Sequence, residues 1–178
     1  MRRFIVGDTH LFHKRIIEYC NRPENFTELL INNLQAIIKP EDILYHLGDV
    51  HFGRREQLKE ILNSIPGKKV LLRGSHDHWS EGVYHDCGFS SIVDILVVKR
   101  IILSHEPVSV PEWADYNIHG HHHTSFGATL QEYVTATIDD TQHCFYTPEY
   151  FNYRPIEVYS LLSCYRKLRK SKEINDTV

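Results

Sequence analysis

The chain has 178 residues, a formal net charge of −3, and a composition of 42% hydrophobic and 24% charged residues. A chain of this length can bury roughly 70% of the surface that its unfolded form exposes, so one compact domain is expected. No segment approaches the roughly 20 apolar residues of a membrane span, and residues 1–10 lack the apolar run of a signal peptide. We therefore expect a cytoplasmic protein without a membrane anchor.

The cysteines and the net charge exclude further classes of protein. The four cysteines lie far apart and form no CxxC pair, which argues against a zinc knuckle and against a disulfide framework. They are expected to be reduced: Cys20, Cys87, Cys144 and Cys164. The acidic net charge gives no broad attraction for nucleic acid, so nucleic acid is not the expected partner.

The first half of the chain alternates strand and helix patterns. Short apolar runs that stop at a glycine predict buried strands, and apolar residues at a spacing of three to four predict helices. The predicted elements are a strand at Arg3–Val6, a helix at His13–Cys20, a helix at Thr27–Lys39 with Thr27 as N-cap, a strand at Asp42–Leu47, a helix at Arg55–Leu62 and a strand at Lys69–Leu72.

The second half is richer in strand patterns. The predicted elements are strands at Ile92–Val98 and Arg100–Ser104 joined at Lys99, strands at Tyr116–His119, Ala128–Glu132, Tyr133–Thr137 and His143–Tyr146, and a helix at Leu161–Lys170. Alternation followed by strands predicts two stacked sheets flanked by helices. We expect one domain over residues 1–170 and a disordered polar tail at 171–178.

Histidine is the compositional outlier, with thirteen residues that gather in a few short strings. Several of these strings follow predicted strands, where side chains from neighbouring strands converge at one edge of a sheet. Neutral imidazoles and carboxylates at such an edge suit a transition metal. The candidate residues for metal binding at this edge are Asp8, His10, Asp49, His76, His105, His121 and His123.

Five short motifs, in order GDTH, GDVH, GSHD, LSHE and GHHH, resemble the five blocks of the calcineurin-like metallophosphoesterases. The resemblance spans nearly the whole chain. The strings DTHLFHKRII, NRP, YHLGD, LLRGSHD and NYRPI are similar to the small, cap-less bacterial and phage branch. This resemblance implies an α/β fold, a four-layer α-β-β-α sandwich of two mixed sheets flanked by helices.

The same resemblance implies a centre that binds two divalent metal ions. Its implied ligands are Asp8, His10 and His123 for one cation, His105 and His121 for the other, and Asp49 as a bridge. A hydroxide between the cations would attack a phosphodiester or a phosphomonoester. The mixed nitrogen and oxygen ligands suit manganese, iron, zinc or nickel, and manganese is expected.

The third block carries the implied catalytic histidine and one departure from the family. The resemblance implies that His76 acts as general acid or transition-state stabiliser, with Asp77 orienting it or stabilising its charged form. Ser75 occupies the position of a family asparagine that binds the second metal. A hydroxyl is a shorter and poorer ligand, so we expect weaker occupancy of the second metal site and reduced activity.

Substrate contacts are less sharply indicated. Arg22 and Arg73 are candidates for a bidentate grip on a phosphate, although surface pairing explains them equally well. His13 either reaches substrate or has a capping role, and His51 either tunes the centre or is simply exposed. A wall for a base or sugar is a further interpretation, with core and rim packing as its alternative, for Tyr146, Tyr150, Phe151 and Tyr153.

Three functions compete at this stage. The leading one is a two-metal hydrolase of a phosphomonoester or phosphodiester, with a small phosphate ester such as a nucleotide as its substrate. A cap-less domain leaves the centre open, which favours a diester or an exposed phosphate over an enclosed metabolite. The second is a metal-binding or scaffold module whose catalysis has decayed, which Ser75 favours. The third is a nuclease, against which the acidic net charge counts.

Overall fold

A computed structural model describes residues 1–123, 133–135 and 153–163 of the chain. It shows a mixed α/β fold with two mixed sheets. The strands are β1 Arg3–Val6, β2 Ile43–His46, β3 Lys68–Leu72, β4 Ser91–Val93, β5 Ile95–Val98, β6 Ile101–Ser104, β7 Tyr116–His119, β8 Tyr133–Thr135 and β9 Ile156–Glu157. The helices are α1 Ile16–Tyr19, α2 Phe26–Ile37, α3 Arg55–Ser64 and α4 Glu81–Cys87, and residues 158–163 are also helical.

The first sheet has the strand order β4-β3-β2-β1-β9. Strands β1 to β4 are parallel to their neighbours, and β9 is antiparallel to β1. Parallel strands that are covered on both faces have continuous apolar sequences. Residues 4–6 of β1 (FIV) and residues 70–72 of β3 (VLL) are such sequences. The predicted strands of the first half are confirmed to within two residues at each end.

The second sheet has the order β5-β6-β7-β8. Strands β5 and β6 form an antiparallel hairpin whose turn contains Lys99 at a φ of 59°, and β6, β7 and β8 are parallel. The prediction of one strand over Ile92–Val98 is wrong. The chain leaves the first sheet at the exposed Asp94 and enters the second sheet as β5, so one apolar run serves both sheets.

The first sheet is covered on both faces. Successive side chains of a strand point to opposite sides, so Ile5 faces one cluster while Phe4 and Val6 face another. The cluster around Ile5 joins the two sheets through Ile5, Tyr45, Leu47, Val70, Leu72, Leu103, Tyr116 and Ile118. On the opposite face α1 and α2 pack through Ile16, Leu30 and Leu34, and α3 and α4 pack through Leu58, Leu62, Tyr84 and Cys87.

Helices differ more from expectation than strands do. Helix α2 begins at Phe26 after the N-cap Asn25, so the assignment of Thr27 as N-cap is wrong. The Thr27 hydroxyl instead accepts a hydrogen bond of 3.3 Å from the Phe12 amide. Helix α1 spans four residues of the predicted eight. Helix α4 was not predicted, because Gly82 and two turns of length weaken its periodic signal.

Several predicted features lie outside the described residues: the strands at Ala128–Glu132 and His143–Tyr146, most of the helix at Leu161–Lys170, and the tail at 171–178. Among described residues Cys87 is a free thiol. No helix in the described part of the chain is long and apolar enough to cross a membrane.

Candidate metal centre

The candidate ligands come together where strands of both sheets end. Asp8 and Asp49 follow the parallel strands β1 and β2, and His105 and His121 follow the parallel strands β6 and β7. The amides of these loops are tied together, since Asp8 N donates to Gly48 O at 3.1 Å. The convergence expected from the strand order is therefore observed.

The first ligand group consists of Asp8, His10 and His123, whose ligand atoms all lie within 4.8 Å of one another. The Nε2 atoms of His10 and His123 are 3.1 Å apart, and Nε2 of His123 is 3.9 Å from Oδ1 of Asp8. Two imidazole nitrogens and a carboxylate oxygen thus face one point, an arrangement that can hold a metal ion.

The second group shares Asp8 with the first and adds Asp49 and His105, again within 4.8 Å. Oδ2 of Asp49 is 3.6 Å from Nε2 of His10, whereas Oδ1 is 3.6 Å from Nε2 of His105. Nδ1 of His121 is 3.1 Å from Nε2 of His105. Asp49 therefore presents one carboxylate oxygen to a histidine of each group, and Asp8 belongs to both groups.

The chemistry of this donor set fits divalent cations. The exposed fraction is 0% for Asp8 and 2% for Asp49, and two carboxylates that close repel each other unless positive charge lies between them. Burial, together with the neighbouring His123, lowers the pKa of His10 to about 2. His10 is therefore neutral at physiological pH, the protonation state that a metal ligand requires.

Backbone strain is concentrated at the ligands. Asp8, His10, Asp49 and His121 have φ values of 54°, 44°, 54° and 67°, in the left-handed region that side chains other than glycine rarely adopt. Each such residue costs on the order of 1–3 kcal/mol, and such strain clusters at functional sites. The observed strain thus supports a functional role for these loops.

Glycines allow the loops to approach closely. A Cβ atom on Gly120 would lie 2.5 Å from Oδ2 of Asp8, and one on Gly74 would overlap the amide and carboxylate of Asp49. Gly48, at a φ of 91°, would place a Cβ 2.7 Å from Nδ1 of His105. Hydrogen in place of a side chain at these positions is what brings the carboxylates within reach of the histidines.

Asp77 holds the loops of the second and third blocks together. Its Oδ2 accepts hydrogen bonds of 2.8 Å from the amides of Asp49 and Gly74, and its Oδ1 accepts one of 3.0 Å from the amide of Val50. Its carboxylate is buried and turned towards these amides. The contacts of the described residues include none between this carboxylate and the ring of His76, so the structure shows Asp77 as a support of the Asp49 loop.

A buried histidine links the first two ligand loops. The Gly48 amide donates to Nδ1 of His46 at 3.2 Å, so Nε2 of His46 carries the proton and donates to the Thr9 hydroxyl at 2.9 Å. That hydroxyl donates to the carbonyl of Val50 at 2.7 Å. Burial lowers the pKa of His46 to about 4, so the neutral ring that completes this chain is stable.

The third-block loop is exposed. Ser75 and His76 are both open to solvent, and Nε2 of His76 is 4.0 Å from Oδ2 of Asp49. The amide of His76 donates to Oδ1 of Asp49 at 2.8 Å, which fixes the loop beside the centre. The His76 ring thus lies next to the ligands with half of its side-chain surface accessible.

The two candidate arginines are engaged with backbone carbonyls. The guanidinium of Arg22 is buried and donates to the carbonyls of Asp8 and Thr9 at 2.7 and 2.8 Å. Arg73 donates to the carbonyl of Trp79 at 2.9 Å. Both side chains therefore brace loops of the centre, an environment that differs from the free fork expected for gripping a phosphate.

Aromatic rings surround the exposed side of the centre. The half-buried His13 ring lies 5.8 Å from that of His10, and Nε2 of His51 is 3.1 Å from the carbonyl of Arg54. Tyr153, by contrast, packs against the core of α1 and α2. The other residues of the suggested aromatic wall lie outside the described part of the chain: Tyr146, Tyr150 and Phe151.

Sequence reasoning missed the supports of the centre. Nothing distinguished His46 from a surface histidine except its position inside the apolar strand β2. All three close-packed glycines are the first residue of one of the five motifs, and that spacing was an available signal. No feature of the sequence indicates that the Asp77 carboxylate faces backbone amides of the ligand loops rather than the ring of His76.

No family model matches the chain. It is 30% identical to the uncharacterized protein MJ1445 of Methanocaldococcus jannaschii over 97% of this chain and 96% of that protein. The crystal structure of protein AQ665 of unknown function, from Aquifex aeolicus, matches with a TM-score of 0.68 and 27% identity, covering 99% of each chain.

A third similarity concerns the fold alone. The nuclease MPE of Pseudomonas putida matches with a TM-score of 0.51 and 22% identity, over 69% of this chain and 62% of the nuclease. The match shows a shared fold over about two thirds of each chain. By its identity over nearly all of both sequences, the chain belongs to the family of the M. jannaschii protein MJ1445.

Proposed function

We propose that this protein is a two-metal-dependent phosphoesterase of the calcineurin-like type, with the four-layer α-β-β-α architecture of that superfamily. One observation carries the proposal: Asp49 is buried between two histidines, with a different carboxylate oxygen 3.6 Å from each. A carboxylate in that position is suited to bridge two cations.

The ligand groups divide between the two cations. Asp8, His10 and His123 would hold one ion, His105 and His121 the other, with Asp49 between them. Two bound divalent ions would supply a hydroxide nucleophile at neutral pH and neutralise charge on the phosphoryl oxygens. Manganese, as an ion that accepts mixed nitrogen and oxygen ligands, is part of the proposal.

His76 is the candidate proton donor. Its ring is exposed beside Asp49, so a phosphate ester at the centre would have this imidazole within reach. A histidine in this position can deliver a proton to the departing oxygen of the ester. Asp77 and Arg22 would contribute by fixing the backbone that carries the ligands.

A nuclease is the second candidate, favoured by the shared fold with the P. putida nuclease. The net charge of −3 disfavours it, since binding of the nucleic-acid backbone depends on neutralising phosphates with cationic side chains. A scaffold module would bind cations at the same centre without turnover.

The test is hydrolysis of bis-p-nitrophenyl phosphate and p-nitrophenyl phosphate by metal-stripped protein before and after manganese is added. The matched variants are Asp49→Asn and Asp94→Asn, because Asp94 is exposed and lies outside the centre. Removal of groups around a metal ligand costs about 10- to 100-fold, so loss of the ligand charge itself should cost more than about 100-fold.

The outcomes separate the candidates. Manganese-dependent turnover that is lost in Asp49→Asn and kept in Asp94→Asn supports the phosphoesterase, and the ratio of the two rates shows its preference for diesters or monoesters. Cleavage of a single-stranded oligonucleotide at comparable efficiency would favour the nuclease. Cation binding without any turnover would contradict the proposal and favour the scaffold module.

A further inference from the structure

Two phenylalanines are exposed on the loops that carry the metal ligands. Phe12 and Phe52 have exposed fractions of 37% and 44%, and they lie two residues after His10 and three residues after Asp49. Large apolar side chains are costly to leave in water, and a pair of them beside a polar centre indicates a surface that binds a ligand.

Phe52 is adjacent to the groups that would contact a bound ester. Its ring centroid is 5.4 Å from that of His10, with an interplanar angle of 28°, and 5.2 Å from that of His76. The His13 ring lies 4.2 Å from Phe52 on the same rim. An ester with its phosphorus at the centre would therefore place its organic part near this ring.

The backbone fixes Phe52 relative to the ligands. The amide of Phe52 donates to the carbonyl of Leu11 at 2.8 Å, and the Leu11 amide donates to the carbonyl of Val50 at 3.0 Å. These bonds tie the residue after His10 to the residues after Asp49. The backbone of Phe52 is consequently held in place before any ligand binds, which lowers the entropy cost of presenting its ring to a ligand.

Phe12 is exposed at a strained backbone position. Its φ of 66° is in the left-handed region, where a bulky aromatic residue is an outlier. A Cβ on Gly53 would lie 2.8 Å from Cδ2 of Phe12, so the neighbouring loop lacks a side chain where the ring lies. Strain and exposure together are unfavourable for folding and favour a role in binding.

We propose that Phe12 and Phe52 form an aromatic subsite for the base of a nucleotide whose phosphate ester is bound at the metal centre. The inference rests on the proposed phosphoesterase function and specifies its substrate class. Bases stack on aromatic side chains irrespective of base identity, since every base has a π-face. An alkyl ester of the same charge lacks a planar group and gains little from these rings.

The test is calorimetric binding of two phosphonates to the manganese-loaded protein: the analogue of thymidine 5′-monophosphate in which carbon replaces the ester oxygen, and ethylphosphonate, the matching analogue of methyl phosphate. Both have the same charge and no P–O ester bond to hydrolyse, so they differ in the organic group. Stacking on aromatic residues should make the nucleotide analogue bind roughly 5- to 150-fold more tightly. Phe52→Ala should abolish most of this preference and leave the affinity for ethylphosphonate unchanged, whereas Phe52→Trp should retain the preference.

The control is Trp113→Ala, because Trp113 is 50% exposed and precedes β7, at the opposite end of that strand from His121. This variant should keep the full preference. Phe12→Ala, checked for folding by its melting temperature, should reduce the preference in the same direction as Phe52→Ala.

Equal binding of the two ligands by the unmodified protein would overturn the inference, as would an unchanged preference in folded Phe52→Ala. Binding requires no turnover, so these results are independent of the assay with p-nitrophenyl esters. Hydrolysis of the p-nitrophenyl esters together with equal binding of the two ligands would refute the aromatic subsite alone. Absence of hydrolysis would refute the proposed phosphoesterase function.

Discussion

The two sides of the candidate centre are built in different ways. On one side Asp8, His10 and Asp49 are buried, lie at strained backbone positions and are held by hydrogen bonds between loops. On the other side Ser75 and His76 are exposed. The difference indicates that ligand geometry is fixed by the fold before a cation or substrate binds, while the proton-transferring side remains open to exchange with substrate and solvent.

Acidification should destabilise the folded protein through His46, on the buried side of the centre. The pKa of His46 is about 4 in the folded chain because burial disfavours the charged ring, and it is near 6.5 when unfolded. Between these values the unfolded chain binds the extra proton. The free energy of unfolding should therefore be unaffected by His46 above about pH 6.5 and fall by up to about 3 kcal/mol as pH approaches 4.

Denaturant titrations of metal-free protein from pH 7 to 4 measure this effect. The variant His46→Gln should lose less stability on acidification than the unmodified protein, and His85→Gln, which changes an exposed histidine of α4, should lose as much. Identical pH profiles for all three proteins would show that His46 does not link the buried side to pH.

Gly120→Ala should damage the buried side without altering charge. Its Cβ would collide with Oδ2 of Asp8, and moving that carboxylate should weaken manganese binding roughly 10- to 100-fold. Gly82→Ala is the matched control, since a Cβ there meets nothing within 4 Å and lies in a helix. Isothermal titration with manganese compares the two variants, and equal affinities would contradict the close-packing explanation.

Asp77→Asn tests which side of the centre Asp77 serves. An amide replaces one acceptor oxygen by a donor that faces a backbone N–H, so the Asp49 loop should shift and manganese affinity should fall about tenfold. The same loss is expected in a His76→Ala background if Asp77 acts on the loop. If the effect disappears in that background, Asp77 acts through His76.

The smallest expected effect is on the exposed side. Ser75→Asn would add an amide oxygen near the second ligand group and should raise manganese affinity and turnover about fivefold, equivalent to about 1 kcal/mol. Ser109→Asn, at an exposed position outside the centre, should change neither. No gain in Ser75→Asn would show that serine at this position does not limit the second metal.

Sequence patterns were sufficient for the parallel strands and the ligand motifs, because both depend on local order. A strand that ends at Gly7-Asp8 or Gly48-Asp49 places its aspartate at the sheet edge whatever the tertiary detail. The break at Asp94 was not predictable, since β4 and β5 have the same apolar character and separate only through packing in different sheets.

The supports of the centre depend on direction rather than on residue type. The sequence showed that Asp77 follows His76, and proximity favoured a pair between them. In the structure the Asp77 carboxylate faces three backbone amides, a choice decided by the turn between Gly74 and Asp77. Arg22 likewise has the chemistry of a phosphate ligand and is instead buried against the carbonyls of the first loop.

The contact between His10 and His123 joins residues 113 positions apart in the sequence. Closing such a long segment is entropically costly, so the contact depends on the packing that holds both sheets together. A nascent chain that has not yet emerged beyond residue 123 therefore lacks a histidine of the first ligand group. The complete centre thereby depends on synthesis past residue 123, and a chain that ends before His123 presents at most a partial site to cellular metal.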